Sequence, residues 1–208
     1  VDVRWGRPVR WFRWPAPRRR RRLDPGVFLV IPANRSRLRS VNFQDTQLIG
    51  VLARAESTVS SLSDLLGGLV EKFAARGYSL YLVGGSVRDA LLGRLGNDLD
   101  FTTPARPDVV KEILDEWAET VWDTGIDFGT VSAAYKGQQI EITTFRSDSY
   151  DGQSRNPEVV YGDTLEGDLV RRDFKVNAMA IELLADASFT FHDPLHGLQD
   201  VADRVLDT

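Results

Sequence analysis

The sequence predicts an α+β fold behind an arginine-rich amino-terminal extension. Three observations predict it: apolar residues at helical spacing near 61–76 and 107–117, two strand–turn–strand patterns after residue 130, and an abrupt change of composition near residue 40. The chain has 208 residues, 42% hydrophobic and 27% charged, which suits a globular protein with a sizeable core. The net charge of -4 conceals an asymmetry. Residues 1–39 carry 12 arginines against Asp2 and Asp24, a balance of +10, whereas residues 40–208 carry 14 basic and 28 acidic side chains, a balance of -14. The acidic part argues against broad, sequence-independent nucleic-acid binding by the folded body.

No apolar run approaches the roughly 20 residues that span a bilayer, and no apolar signal core follows the first basic residues. The sequence therefore predicts neither a membrane span nor a secretory signal. Cysteine is absent, which excludes disulfides, thiolate zinc sites and cysteine nucleophiles, and fits a reducing cytoplasm.

The expected organisation is a disordered extension over 1–56, a folded domain over 57–193, and the start of a further unit over 194–208. Within the extension, tryptophans (Trp5, Trp11, Trp14) interleave with arginines, and Arg18 to Arg22 form a basic run with neither helical nor strand periodicity. It reads as a solvated tail, a basic arm for RNA or a targeting segment.

The first predicted helix runs from about Ser61 to Arg76, with Leu62, Leu65, Leu66, Leu69 and Phe73 on one face and Gly77 as its stop. Tyr78 to Val83 reads as a buried strand, which Gly84-Gly85 breaks before a short helix from Ser86 to Leu92. Asp98 to Thr102 is a short strand, and Pro107 to Trp117 a helix with Val110, Ile113, Leu114 and Trp117 on one side. Thr130–Tyr135 and Gln139–Phe145 form a hairpin around Lys136-Gly137, followed by a polar loop from Arg146 to about Thr164. Helical spacing resumes from Leu165 to Ala178, and a second hairpin joins Met179–Leu184 to Phe189–His192. Leu198, Val201 and Val205 mark a last element.

The most informative stretch is LVGGSVRDALLGRLGNDLDF, from Leu82 to Phe101. A strand that ends in Gly84 and Gly85 and feeds a helix lets backbone N–H groups approach a phosphate unobstructed, with the positive end of the helix behind them. The same residues also fit a plain strand-to-helix turn. Asp98 and Asp100 follow at i and i+2 on a strand, facing one side about 7 Å apart, a placement that suits Mg²⁺ in a two-metal phosphoryl-transfer site. Glu141, between Ile140 and Ile142 on an alternating strand, offers a third carboxylate or an exposed edge residue. In DLVRRDFKVNAMA, from Asp168 to Ala180, a continuous helix would bring Arg172, Asp173 and Asn177 within about one turn, where Arg172 could meet phosphate and the other two sugar hydroxyls. An ordinary solvated helix face would look alike. His192 and His196 read as packing or turn residues, because no third ligand stands at zinc-like spacing.

Taken together, LVGGSVRDALLG, DLD, FGTVS, IEITTFR, DLVRRDFKVNAMA and HDPLHGLQDV resemble the class II nucleotidyltransferases, the family of bacterial tRNA CCA-adding enzymes and poly(A) polymerases. The six motifs stand in the family's order over about Leu62 to Thr208, and their joint occurrence is far more specific than any one. The resemblance implies a polymerase-β-like head, a mixed sheet flanked by helices, that extends RNA 3′ ends, tRNA foremost, with ATP or CTP and Mg²⁺. It implies that Asp98 and Asp100 bind metal, that Glu141 supports them, and that Gly84, Gly85 and Arg88 serve phosphate. Arg172, Asp173 and Asn177 match the positions that hold triphosphate and ribose.

Two departures are visible. The chain stops at Thr208, before the family's base-reading neck motif, and Lys175 stands where a small or hydroxylated residue is frequent. CCA addition and poly(A) addition therefore both remain open, as does a nucleotide- or RNA-binding module without turnover. A transferase acting on a protein or small molecule is the less favoured member of the same fold. Oligomeric state is not legible.

Overall fold

The computed structural model describes residues 28–30, 43–147, 160–186 and 188–208. Most of the expected extension, including Arg18 to Arg22, and residues 148–159 of the expected polar loop lie outside the described residues.

The first described element is a strand, β1 (Phe28–Val30). It corrects the expectation of an extension without regular structure throughout, because these three residues pair antiparallel with a late strand, β10 (Phe189–His192). Helix α1 is longer than expected, running from Phe43 to Ala75. The reason lies in its core-facing stripe: Val51, Ala55 and Val59 continue upstream, at steps of four, the line of Leu62, Leu66, Leu69 and Phe73, all buried. The boundary expected between residues 56 and 57 thus falls inside one continuous helix.

Strand β2 (Leu80–Val83) leads into helix α2 (Gly84–Leu91), and β3 (Asp98–Thr103) into helix α3 (Pro107–Asp115). A three-residue strand, β4 (Thr120–Trp122), is followed by a 3-10 turn at Ile126–Phe128, neither of them anticipated. Strands β5 (Thr130–Tyr135) and β6 (Gln138–Thr144) form the expected hairpin. Lys136 and Gly137 both have positive φ, 48° and 77°, as a tight hairpin of this twist requires. Within the expected polar loop, β7 (Arg146–Ser147) pairs with β8 (Val160–Tyr161) as a separate two-stranded sheet.

The predicted helix from Leu165 to Ala178 is the main correction. Helix α4 stops after six residues (Leu165–Val170), Phe174 is extended at φ −128°, ψ 137°, and a 3-10 turn covers Lys175–Asn177. Val176 and Ala178, two apart, are both buried, a spacing that one face of an α-helix does not give, so packing overrides the local pattern. Strand β9 (Ala180–Leu183), β10 and helix α5 (Gly197–Asp203) complete the chain.

Eight strands form one mixed sheet in the order β1-β10-β9-β2-β3-β6-β5-β4. Only β3 and β6 run parallel among these pairs, with α3 in the crossover between them. Leu80, Leu82, Leu99, Phe101, Val131, Ala133, Ile140, Ile142 and Ile181 share one core with α1, α3 and Val201 of α5. The segment expected to open a further unit at 194 is therefore packed into this core. No described helix is long and apolar enough to cross a membrane.

Candidate functional site

The other face of the sheet carries the polar residues. Alternation sends Leu99 and Phe101 into the core and leaves Asp98 and Asp100 exposed on the opposite face. In the parallel ladder Asp100 pairs with Glu141, and Glu141 pairs in turn with Ser132 of β5. Paired residues project to the same face of a sheet, on strands about 4.8 Å apart, so the register sets Glu141 beside Asp100 with no helix required. Although Asp100 is reached by solvent, protein crowds its carboxyl, which is raised above its ordinary range: partial loss of hydration is the largest cause, repulsion from Glu141 and Asp98 adds to it, and Arg172 and the Ser86 hydroxyl oppose it.

Ser86, buried in the first turn of α2, fixes that helix to β3. Its hydroxyl accepts from the Asp100 backbone N–H at 2.9 Å and donates to the Asp98 carbonyl at 3.3 Å. The amino end of α2 is consequently held against the carboxylates. Val83 at the helix start contributes no side-chain cap, so the first N–H groups of α2 have neither an intrahelical nor a capping partner. Gly84 has φ +65°, the left-handed region that favours glycine. A β-carbon there would press on Arg172 Nη1 at 3.0 Å, while Asp100 Oδ2 at 3.9 Å would be in ordinary contact, so the bare backbone makes room for the guanidinium.

Arg172 and Arg88 approach this turn from different segments. Arg88 donates from Nη1 to Asn177 Oδ1 at 2.9 Å and grips Asp89 with Nε and Nη2 at 3.0 and 3.2 Å. Its Nη2 also lies 3.4 Å from where a β-carbon of Gly85 would stand. Arg172 donates from Nη2 to Asp168 Oδ2 at 3.0 Å. Asp168 is fully buried and also receives Arg171 Nη2 at 2.9 Å, Arg171 Nε at 3.2 Å and the Arg146 backbone N–H at 3.1 Å. Burial would raise its carboxyl, but Arg172, Arg171 and the Arg146 N–H together hold it below the ordinary value.

Eight of the nine residues expected from the sequence thus converge: Asp98, Asp100 and Glu141 as an acidic row, Gly84 and Gly85 as a bare turn beside it, and Arg88, Arg172 and Asn177 around that turn. Asp173 is exposed and has no hydrogen bond or ion pair among the described residues. Arg172, Asp173 and Asn177 do not share a helical turn, since α4 ends before them; Arg172 is placed by Asp168, and Asn177 by Arg88. Ser86, Asp89 and Asp168 were not singled out from the sequence, although all three lie inside the quoted motifs.

The acidic row, the bare glycine turn and the paired arginines occur within a segment that matches one family model, described as the poly(A) polymerase head domain, over residues 80–207. The chain belongs to this family. Among the proteins similar to it, the CCA-adding enzyme of Listeria monocytogenes serovar 1/2a is 40% identical over 139 residues, 66% of this chain and 33% of that protein. The CCA-adding enzyme of Staphylococcus saprophyticus is 37% identical over 150 residues, 72% and 36% of the two chains. This poly(A) polymerase head-family chain therefore spans about a third of the length of these curated relatives. Among solved structures, the Bacillus stearothermophilus CCA-adding enzyme in complex with CTP aligns with a TM-score of 0.56 at 34% identity, over 70% of this chain and 33% of that one. A tRNA nucleotidyltransferase complexed with a primer tRNA and an incoming ATP analogue aligns at 0.53 and 29% identity, over 72% and 38%.

Proposed function

We propose that this chain is the nucleotidyltransferase head of an enzyme that adds CMP and AMP, as CCA, to RNA 3′ ends, with tRNA as its acceptor, using CTP and ATP. The observation that carries the reading is the register of Asp98, Asp100 and Glu141 beside the Gly84–Gly85 turn. A phosphate cradle and a cluster of acids this close have opposite preferences for an anion, and they coexist most simply when a cation joins them. Among the described residues no three His, Cys, Asp or Glu side chains are gathered as a complete metal site. The proposed ligands are two carboxylates, Asp98 and Asp100, and Mg²⁺ takes one or two carboxylates and completes its shell with water and substrate phosphates. The raised carboxyl of Asp100 points the same way, because a cation relieves the repulsion from Glu141 and Asp98.

Asp98 and Asp100 would hold Mg²⁺, with Glu141 in support. When bound, the ion supplies Lewis-acid stabilisation of phosphoryl oxygens and lowers the pKa of the attacking hydroxyl. Gly84 and Gly85 offer backbone N–H groups to the triphosphate, while Arg172 and Arg88 neutralise its oxygens from either side of the turn. Asn177, held by Arg88, and the exposed Asp173 would meet the ribose. The 3′-hydroxyl of the RNA attacks the α-phosphorus, the bond from that phosphorus to the bridging oxygen breaks, and pyrophosphate leaves as the hydroxyl proton is lost to solvent or a nearby carboxylate. The protein's part is to position these groups and screen their charge.

Relatives named CCA-adding enzyme favour CCA over poly(A) addition, and a cytoplasmic site of action accords with a tRNA acceptor. A primer-extension assay decides between them. The full-length protein, given tRNA lacking its terminal CCA, is expected to add two C and one A and stop; continuing A addition supports the poly(A) reading, and no addition from any triphosphate removes transfer altogether.

A further inference from the structure

We propose that Trp122 is a stacking platform for a base at the 3′ end of the acceptor RNA. This rests on the transferase reading and specifies where its second substrate lies. Trp122 pairs with Ser132, Ser132 with Glu141, and Glu141 with Asp100, so the four residues form one row across β4, β5, β6 and β3. All four project to the same face, because paired residues in a sheet do. Val121, its neighbour, packs against the core, which fixes Trp122 on the opposite side. At 42% exposure, Trp122 leaves a large aromatic surface open on the face that holds the acids.

Between the tryptophan and Glu141 the open face of β5 carries the small side chains Ser132 and Ala134, with Thr130 beside them accepting from Arg146 Nη2 at 3.0 Å at the edge of the row. With strands about 4.8 Å apart, this leaves a shallow trough about 10 Å wide between the Glu141 and Trp122 backbones. That width accommodates one nucleoside lying across β5, with its ribose at the carboxylates and its base against the indole.

The direction follows from the chemistry. The triphosphate binds on the β2 and α2 side of Asp100, where Gly84 and Arg172 stand. In-line displacement requires the attacking oxygen opposite the departing pyrophosphate. The RNA terminus must therefore arrive from the β6, β5 and β4 side of the acids, where Trp122 is an exposed aromatic in the same row as Asp100 and Glu141. Stacking suits this place better than phosphate contacts would, since the nearby acids repel a backbone while a base presents a neutral π-face. Every base can stack, so the platform would serve an acceptor whose terminal base changes with each addition.

The test compares Trp122→Ala and Trp122→Phe with the parent protein, measuring dissociation constants for a short RNA, for the same RNA with an abasic 3′ residue, and for ATP with Mg²⁺. Base–aromatic stacking contributes about 1–3 kcal/mol, so Trp122→Ala should weaken the intact RNA about 5-fold to 150-fold and leave ATP affinity unchanged. Trp122→Phe should recover most of the loss, and the abasic RNA should be insensitive to the alanine change. Equal RNA affinity for parent and Trp122→Ala, or equal losses for intact and abasic RNA, would overturn the platform. If Trp122→Ala behaves as expected while the full-length protein transfers no nucleotide to RNA, Trp122 stands as an RNA-stacking residue and the transferase reading fails.

Discussion

Replacing Asp100 by asparagine is expected to abolish nucleotide addition while raising the thermal unfolding midpoint at pH 7. The two effects have one cause. The fold disfavours the ionised form of Asp100, through lost hydration and the charges of Glu141 and Asp98. A carboxyl whose folded pKa lies above its unfolded value of 3.8 favours the folded state fully only below that value, and the advantage is lost as pH rises through the folded pKa. At neutral pH the ionised group is therefore a net strain, which asparagine removes at nearly constant volume. The stabilisation should fade below about pH 4, where the parent carboxyl is protonated in both states. The backbone bond from Asp100 to Ser86 does not involve the carboxyl and should survive. Activity moves the other way. Metal-borne charge stabilisation is worth several kcal/mol at the transition state, and each 1.36 kcal/mol is tenfold, so turnover should fall by about a thousandfold or more. Turnover within tenfold of the parent would remove Asp100 from the metal site, and a lower midpoint at pH 7 would contradict the strain assigned to its ionised form.

Arg172→Ala should raise the dissociation constant for a nucleoside triphosphate about tenfold to a hundredfold, the equivalent of about 1.5–3 kcal/mol for a charge-assisted contact. The fold should tolerate the change. Asp168 keeps Arg171 on Oδ1 at 2.9 Å and the Arg146 N–H at 3.1 Å, so the buried carboxylate is not left without a cation. Arg172→Lys should recover only part of the affinity, because an ammonium cannot reach Asp168 and the ligand with the same planar fork. Unchanged triphosphate affinity in Arg172→Ala would place that guanidinium outside the binding site.

The core of the site was legible because its signals are local. The double glycine after an apolar run, and two acids at i and i+2 with Leu99 and Phe101 between and after them, specify a turn and a strand face without reference to the rest of the chain. Glu141 needed one more inference, the alternation between Ile140 and Ile142, and the parallel register then set it opposite Asp100. The Arg172 segment misleads for the converse reason. Leu169, Phe174 and Ala178 imitate helical spacing, and only tertiary burial of Val176 and Met179 shows that the chain turns there. Asp168 could not be recognised from DLVRRD alone: three charged groups near one acid look like a solvated face until Arg146, 22 residues earlier, supplies its backbone N–H. Strand β4 has three residues, too few for any periodicity, so the row that ends at Trp122 exists only once the sheet is assembled. The upstream half of α1 was missed because its stripe there is built of the small or β-branched Val51, Ala55 and Val59 rather than leucine.

Calorimetric titration of the 208-residue chain with ATP, CTP, GTP and UTP, each with and without Mg²⁺, shows whether the acidic row and the phosphate cradle form one cation-dependent site. Without a divalent cation, Asp98, Asp100 and Glu141 face a polyanion, and binding should be weak for all four ligands. With Mg²⁺, affinity should rise by about tenfold or more, and the four constants should agree within a few-fold, because the cradle, the arginines and the acids address phosphate and ribose, which all four share. An Asp98→Asn, Asp100→Asn double variant should lose the dependence on Mg²⁺. Equal binding with and without the cation, or a dependence that survives the double variant, would contradict the account.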